Sequence, residues 1–290
     1  MSQQKVAFIG LGVMGYPMAG YLSKAGYSTK VFNRTKTKAD KWAEEYQGIA
    51  CETPKQAAQG CDVVFVCVGN DDDVRSVIYG EDGVLAGLKV GAVLVDHTTT
   101  SAELAVELAA ASKENGNQFI DAPVSGGQAG AENSQLTIMV GGDQTAYDAA
   151  QPIMQTYAKS VRLMGDSGAG QLTKMVNQIC IGGLIQGLAE AVHFAQKAGL
   201  DTDAVFDVIS KGAAQSWQME NRAATMARGE FEFGFAVDWM RKDFAITLEE
   251  ARKNGAQLPV TALVDQFYAE IQKMGGNRWD TSSLVKRLTD

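Results

Sequence analysis

The chain has 290 residues, of which 46% are hydrophobic and 21% charged, and its formal net charge is −8 at pH 7. That length allows one large or two medium domains with an ample core, and the composition is that of an ordinary globular protein. The acidic balance excludes a basic nucleic-acid face, so any anionic ligand must be drawn by local Lys, Arg and backbone N–H groups.

The apolar, partly β-branched run Val6-Ala7-Phe8-Ile9 predicts a buried parallel strand. It leads into Gly10-Leu11-Gly12-Val13-Met14-Gly15, and Met14, Met18 and Leu22 then repeat every four residues, as one face of a helix over 13–24 would. A second strand over 29–32 completes a βαβ unit. In that setting Gly10 permits the tight turn, Gly12 leaves room for a pyrophosphate, and Gly15 lets helix and strand approach closely. The phosphates then meet N–H groups at the helix N-terminus.

The second strand ends in Asn33-Arg34-Thr35-Lys36, where an Asp or Glu would bind the ribose 2′-hydroxyl of NAD. A neutral amide removes carboxylate repulsion, and a guanidinium can pair with a 2′-phosphate and stack on adenine. The expected cofactor is therefore NADP(H), with NAD(H) still possible.

Further strands are predicted over 62–68, 92–96, 118–121 and 136–140, with a short one near 160–163, and helices over 37–46, 74–78 and 101–115. This alternation predicts an α/β, mostly parallel, doubly wound sheet. After Gly165-Asp166-Ser167-Gly168-Ala169-Gly170 the pattern turns helical. A helix from 171 to about 197 would be a rod of roughly 40 Å, long enough to link two domains. Helices over 203–211, 221–228, 239–254 and 259–274 follow, with Gly255 as a C-cap and Pro259 opening the last. The expected domains are 1–164, binding the dinucleotide, and 165–290, all-α.

Cys51, Cys61, Cys67 and Cys180 form no C-x-x-C pair and read as reduced core residues. With only His97 and His193 besides, no metal centre is expected. Met1-Ser2-Gln3-Gln4 enters the first strand directly, and no apolar run approaches the roughly 18 residues that span a bilayer. The expectation is a cytoplasmic protein with no membrane partner.

Three constellations carry possible chemistry. Asp121-Ala122-Pro123-Val124-Ser125-Gly126-Gly127 stands at the carboxyl end of a predicted strand, where ligands bind in open α/β sheets. Ser125 with two glycines can aim a hydroxyl and successive N–H groups at a carboxylate, or simply form a flexible turn. Lys174, Asn177 and Gln178 fall on one helix face at i, i+3 and i+4. An ammonium and two amides heading an apolar stripe are costly to bury unless partnered, although a surface lysine at a helix start is the plainer alternative. Lys242-Asp243 reads by itself as an exposed ion pair. Asp71-Asp72-Asp73 and Glu249-Glu250 read as solvated faces. Trp217, Met219 and Trp239 could line a pocket, though as core residues they need no special role.

These motifs, in order and over essentially the full length, resemble those of the β-hydroxyacid dehydrogenases (3-hydroxyisobutyrate dehydrogenase and relatives). The matching stretches are Gly10-Leu11-Gly12-Val13-Met14-Gly15-Tyr16-Pro17-Met18-Ala19, residues 121–127, residues 168–178 and Lys242-Asp243-Phe244. The resemblance implies an N-terminal Rossmann domain, an all-α domain for substrate and oligomerisation joined by a long interdomain helix, and a homodimer or homotetramer. It implies that Ser125, Gly126 and Gly127 hold a substrate carboxylate, that Lys174 is catalytic, and that Asn177 and Gln178 position substrate. Lys242 would approach nicotinamide and substrate, and Thr98 the nicotinamide ribose or amide. Val68-Gly69-Asn70 would be a cofactor loop, departing from the apolar-Pro sequence of many members.

The Asn177-Gln178 form resembles the tartronate semialdehyde reductase branch. The implied substrate is a small semialdehyde or 2-oxo acid of the tartronate, glyoxylate or succinic type. Rival readings are a 3-hydroxyisobutyrate or serine dehydrogenase, an imine reductase, and a non-catalytic NADPH sensor. Imine reductases typically place Asp or Tyr at the Lys174 position, and a sensor needs no proton donor. An ordinary lysine titrates near ~10.4, so oxidation would favour alkaline pH and reduction neutrality.

Overall fold

The computed structural model describes residues 4–289; Met1, Ser2 and Gln3, expected to lead into the first strand, lie outside them. The chain divides into two compact units, Met1–Lys174 and Met175–Asp290. The first contains β1 (Lys5–Ile9), α1 (Gly15–Lys24), β2 (Ser28–Phe32), α2 (Lys36–Tyr46), β3 (Ile49–Ala50), α3 (Pro54–Ala58), β4 (Val63–Val66) and α4 (Asp71–Ile78). It continues with β5 (Val93–Asp96), α5 (Ala102–Glu114), β6 (Gln118–Asp121), β7 (Val124–Ser125), α6 (Gly127–Glu132), β8 (Leu136–Gly142), α7 (Gln144–Met154) and β9 (Ala158–Gly165).

Six strands, in the order β3-β2-β1-β4-β5-β6, are parallel; β8 joins antiparallel to β6, and β9 runs parallel to β8. Alternate residues of each central strand serve opposite faces. Val6, Phe8, Val63, Phe65, Val93 and Val95 join one core cluster with α1, α2 and α7. Ala7, Ile9, Val64, Val66 and Leu94 join the other with α3, α4 and α5. Burial on both faces is why these strands read as continuous apolar runs. The strand order reverses between β1 and β4, and a ligand crevice in such sheets lies beyond the carboxyl ends of the strands at that point.

The sequence expectation missed α3, α6, α7, β3 and β7. Pro152 in the last turn of α7 reads as a breaker, and two-residue strands have no period to detect. The 62–68 strand is shorter than expected, because Cys67 and Val68 leave the sheet for the loop after β4.

The helix α8 (Ala169–Lys197) begins in the first unit and runs through the second. The second unit continues with α9 (Thr202–Ile209), α10 (Trp217–Arg228), α11 (Val237–Asn254), α12 (Pro259–Lys273), the 3₁₀ turn η1 (Thr281–Val285) and α13 (Lys286–Thr289). Its core takes Ile185, Leu188, Ala189 and Val192 from α8 together with Met240, Phe244, Val264 and Tyr268. By length and composition alone α8 could cross a membrane, with mean hydropathy 1.2 over an 18-residue stretch. This corrects the expectation that no run is that apolar; the residues responsible on its inner face form the core of an all-α unit.

Candidate active site

The cofactor motif occupies the turn between β1 and α1, and its three glycines meet different constraints. A Cβ on Gly10 would stand 2.2 Å from the Cys67 carbonyl oxygen, with φ already at +95°. A Cβ on Gly15 would stand 2.0 Å from the Gly10 carbonyl oxygen and 2.9 Å from Phe8. Among the described residues, a Cβ on Gly12 would meet nothing within 4 Å. Gly10 and Gly15 therefore serve the fold, and only Gly12 leaves open space. Leu11 is fully buried while Val13 is exposed, and among the described residues no side chain caps α1 after Met14, where the positive end of the helix dipole lies.

Asn33 is part of the scaffold of that loop. Its Oδ1 accepts the Leu11 N–H at 2.9 Å and its Nδ2 donates to the Thr35 carbonyl at 3.1 Å. Arg34 is 91% exposed in its side chain, with Asp73 at 3.7 Å as its ion-pair partner. The Asp71-Asp72-Asp73 run is more than a solvated face. Asp71 accepts from the Ser101 hydroxyl at 2.5 Å, and Asn70 caps α4 by accepting the Asp73 N–H at 2.8 Å.

The loops after β4 and β5 are tied together where Thr98 Oγ1 accepts the Val68 N–H at 3.0 Å. Thr98 donates its own N–H to Asp96 Oδ1 at 2.9 Å. Burial pushes the Asp96 carboxyl up to about 7, against the lowering effect of the bonds from Thr98. Burial also pulls His97 down to about 4. The neutral ring has its Nδ1 2.6 Å from the Ala122 carbonyl, which can only accept, so Nδ1 holds the proton and Nε2 accepts from the Tyr157 hydroxyl at 2.9 Å. It stacks on Phe65 at 5.7 Å.

Beyond β6, β7 keeps the same register against β8: Ile120 faces Gly142 and Ser125 faces Thr137. Half-buried Ser125 is followed by Gly126 (φ +132°) and Gly127 (φ +62°), consecutive left-handed positions that suit glycine and turn the chain into α6. The buried Asp121 caps α8: Oδ1 accepts the Gly168 N–H at 2.7 Å and Oδ2 the Gln171 N–H at 2.9 Å. Burial still raises the carboxyl of Asp121. A Cβ on Gly141 or Gly170 would stand 2.5 Å or 2.7 Å from this carboxylate. Lys174, one turn into α8, is only 7% exposed, so the reading as a surface lysine does not hold.

In the second unit Asn177 donates to Gln178 Oε1 at 2.8 Å, and Gln178 Nε2 donates to Asp243 Oδ2 at 2.7 Å. Lys242 Nζ lies 3.1 Å from Asp243 Oδ1, with side-chain exposures of 20% and 2%. The expected exposed pair is thus a largely buried one, fixed from below by Gln178, and Asp243 is a polar residue whose role was not legible in the sequence. Trp239 stands against Lys242 (5.9 Å to the ring centre) and is partly exposed, as is Trp217; Met219 alone of that trio is core. Cys61 is buried but Cys180 is exposed on α8, correcting its expected core position.

Residues 5–165 match the family profile described as the NAD binding domain of 6-phosphogluconate dehydrogenase. Residues 168–288 match the NAD-binding region of NADP-dependent 3-hydroxyisobutyrate dehydrogenase. The chain is 63% identical over 284 residues to an uncharacterized oxidoreductase of Shewanella frigidimarina, covering 98% of both. It is 33% identical to the 2-hydroxy-3-oxopropionate reductase of Escherichia coli, over 98% of this chain and 97% of that one. The solved structure of Mycobacterium tuberculosis 3-hydroxyisobutyrate dehydrogenase with L-serine superposes with a TM-score of 0.88 at 29% identity, over 99% and 100% of the two chains.

Proposed function

This chain belongs to the β-hydroxyacid dehydrogenase family, whose members are NAD(P)-dependent enzymes acting on CH–OH, and we propose that it is an NADPH-preferring reductase of a small semialdehyde or 2-oxo acid. The observation that carries this reading is the buried Lys174 at the head of α8, because an ammonium held largely out of water acts more strongly on a charge that develops beside it than an exposed one would. The residues present suit the cofactor. Gly12 offers space to a pyrophosphate, the start of α1 is open to it, and exposed Arg34 is available to a 2′-phosphate.

When bound, NADPH supplies the hydride that adds to the substrate carbonyl carbon. Lys174, as an ammonium, gives the proton to the carbonyl oxygen and stabilises the negative charge gathering there. Ser125, Gly126 and Gly127 hold the substrate carboxylate with a hydroxyl and backbone N–H groups, Asn177 orients the substrate, and Lys242 adds a second positive charge. Residues Leu11, Val13, Met14, Val68, Gly69, Asn70 and Thr98 complete the cofactor cradle. In this assignment 1–164 binds the dinucleotide and 165–290 serves substrate and oligomer.

The Escherichia coli relative is named for 2-hydroxy-3-oxopropionate, which is tartronate semialdehyde, and this supports a substrate of that size. The L-serine in the mycobacterial structure favours, as a second reading, a hydroxyacid oxidised in the reverse direction. The test is a panel of tartronate, succinic and methylmalonic semialdehydes and glyoxylate, with loss of reduced-nicotinamide absorbance followed for NADPH and NADH, alongside L-serine and 3-hydroxyisobutyrate with the oxidised cofactors. Lys174→Ala is expected to lose turnover by at least ~10³-fold while keeping NADPH affinity. Rates like those of the parent would refute the role.

A further inference from the structure

The glutamine three residues before Lys174 has no part in the chemistry above, yet it is fully buried with both ends of its side-chain amide and its own N–H hydrogen-bonded. Gln171 Nε2 donates to the Thr98 carbonyl at 2.8 Å, and its Oε1 accepts the Thr100 N–H at 3.1 Å. Its own N–H donates to Asp121 Oδ2, next to the Gly168 N–H on Oδ1. One planar amide thus grips the loop after β5 at two points two residues apart. The main chain beneath it is pinned to the carboxyl end of β6. Two opposed bonds from a rigid plane fix an angle as well as a distance. A glutamate could not donate to the Thr98 carbonyl, and a leucine would leave both backbone groups of the loop unpaired.

Thr98 is itself held by Asp96 and holds Val68, so the grip reaches the loops after both β4 and β5. Lys174 follows Gln171 at i+3, on the same side of the first turns of α8. We propose that Gln171 is a positioning residue that sets the placement of the Lys174 ammonium against the loop at residues 98–100. This inference rests on the reading of Lys174 as proton donor and of Thr98 as a neighbour of the nicotinamide. Reacting groups tolerate little misplacement, and an error of about 1 Å can cost ~10²-fold in rate.

The test compares full-length parent, Gln171→Leu and Gln171→Glu. In Gln171→Leu, kcat is expected to fall ~10- to 100-fold while the NADPH dissociation constant, read by fluorescence titration, moves less than about fivefold. In Gln171→Glu, kcat relative to the parent is expected to be low near pH ~8 and to recover toward pH ~6. Burial and the Asp121 carboxylate at the helix head disfavour a charged carboxyl at 171 and outweigh the Lys174 ammonium three residues on, which favours it. Asp96 across Thr98 is itself largely protonated by pH ~6. The new carboxyl therefore takes up a proton and regains a donor for the Thr98 carbonyl. A merely structural residue would not impose that pH profile. Amide hydrogen exchange supplies a readout free of turnover, in which Thr100 N–H in Gln171→Leu should exchange at least ~10-fold faster while β1 keeps its protection. A kcat for Gln171→Leu within twofold of the parent, or a flat Gln171→Glu ratio, overturns the positioning role. Exchange at Thr100 in Gln171→Leu equal to that in an active parent overturns the clamp alone. No turnover by the parent with any aldehyde sinks the reductase reading, and with it the catalytic half of this inference.

Discussion

Arg34 and Asp96 show two ways in which one side chain can be tested without disturbing the rest. Arg34 is highly exposed, so Arg34→Ala should leave stability unchanged while raising the NADPH KM about ten- to hundredfold and the NADH KM little, the scale of one lost charge-assisted contact. Equal effects on both would defeat the 2′-phosphate assignment. Asp96 bears on pH. Its carboxyl is lifted by burial from 3.8 to about 7, so the native chain holds a proton there that the unfolded chain has lost. Its contribution to stability therefore grows as pH falls from about 7 towards about 4. His97 is lowered from 6.5 to about 4, so between those values the unfolded chain takes up a proton the native one refuses, and its contribution grows as pH rises. The slopes oppose, each at most ~1.4 kcal/mol per pH unit. Asp96→Asn keeps an acceptor for the Thr98 N–H and removes the first slope. The Tm of the variant should therefore gain on the parent steadily from pH ~4 to pH ~7, and parallel Tm profiles would contradict the linkage.

At the scale of elements, the β1–α1 turn separates packing from binding. Gly15→Ala forces a Cβ against the Gly10 carbonyl and should cost several kcal/mol, about the range of overpacked or strained backbone sites. Gly12→Ala meets no atom of the described residues within 4 Å, so its Tm should stay near that of the parent while NADPH affinity falls at least ~10-fold. Two variants destabilised alike would remove the case for pyrophosphate room at Gly12. This turn was legible in the sequence because its signals are local: an apolar run, three glycines at fixed spacing, then a helical stripe. β6 and the start of α12 were placed to the residue for similar reasons. The grip of Gln171 on Thr98 and Thr100 joins positions 73 and 71 apart, and that of Gln178 on Asp243 spans 65. Neither leaves a periodic trace, so burial alone reveals them. That is also why Lys242-Asp243 read as a surface pair, and why the cap that Asp121 gives α8 was invisible beside its place in a motif.

For the whole molecule, the helix that carries Lys174 also presents an apolar face outward. Val176, Leu184 and Phe194 on α8 are 59%, 46% and 71% exposed, and Val260 and Leu263 on α12 are 58% and 49% exposed. A Cβ on Gly183 would stand 4.0 Å from Val260, so Leu184 and the first turn of α12 border one patch. Apolar side chains gathered in this way mark an interface more often than a free surface. The expected homodimer or homotetramer would bury them, and a symmetric pairing would bring the same patch from each copy together. Leu184→Lys places a charge in that patch without touching the core of the unit. Sedimentation velocity should then give a smaller species than the parent, and Tm should lose any dependence on protein concentration that the parent shows. Val90→Lys, a change at another exposed valine (82%) in the other unit, should leave the mass unaltered. A parent and a Leu184→Lys variant of equal mass would place the interface elsewhere, and a parent that sediments as a monomer would remove the oligomer from the account.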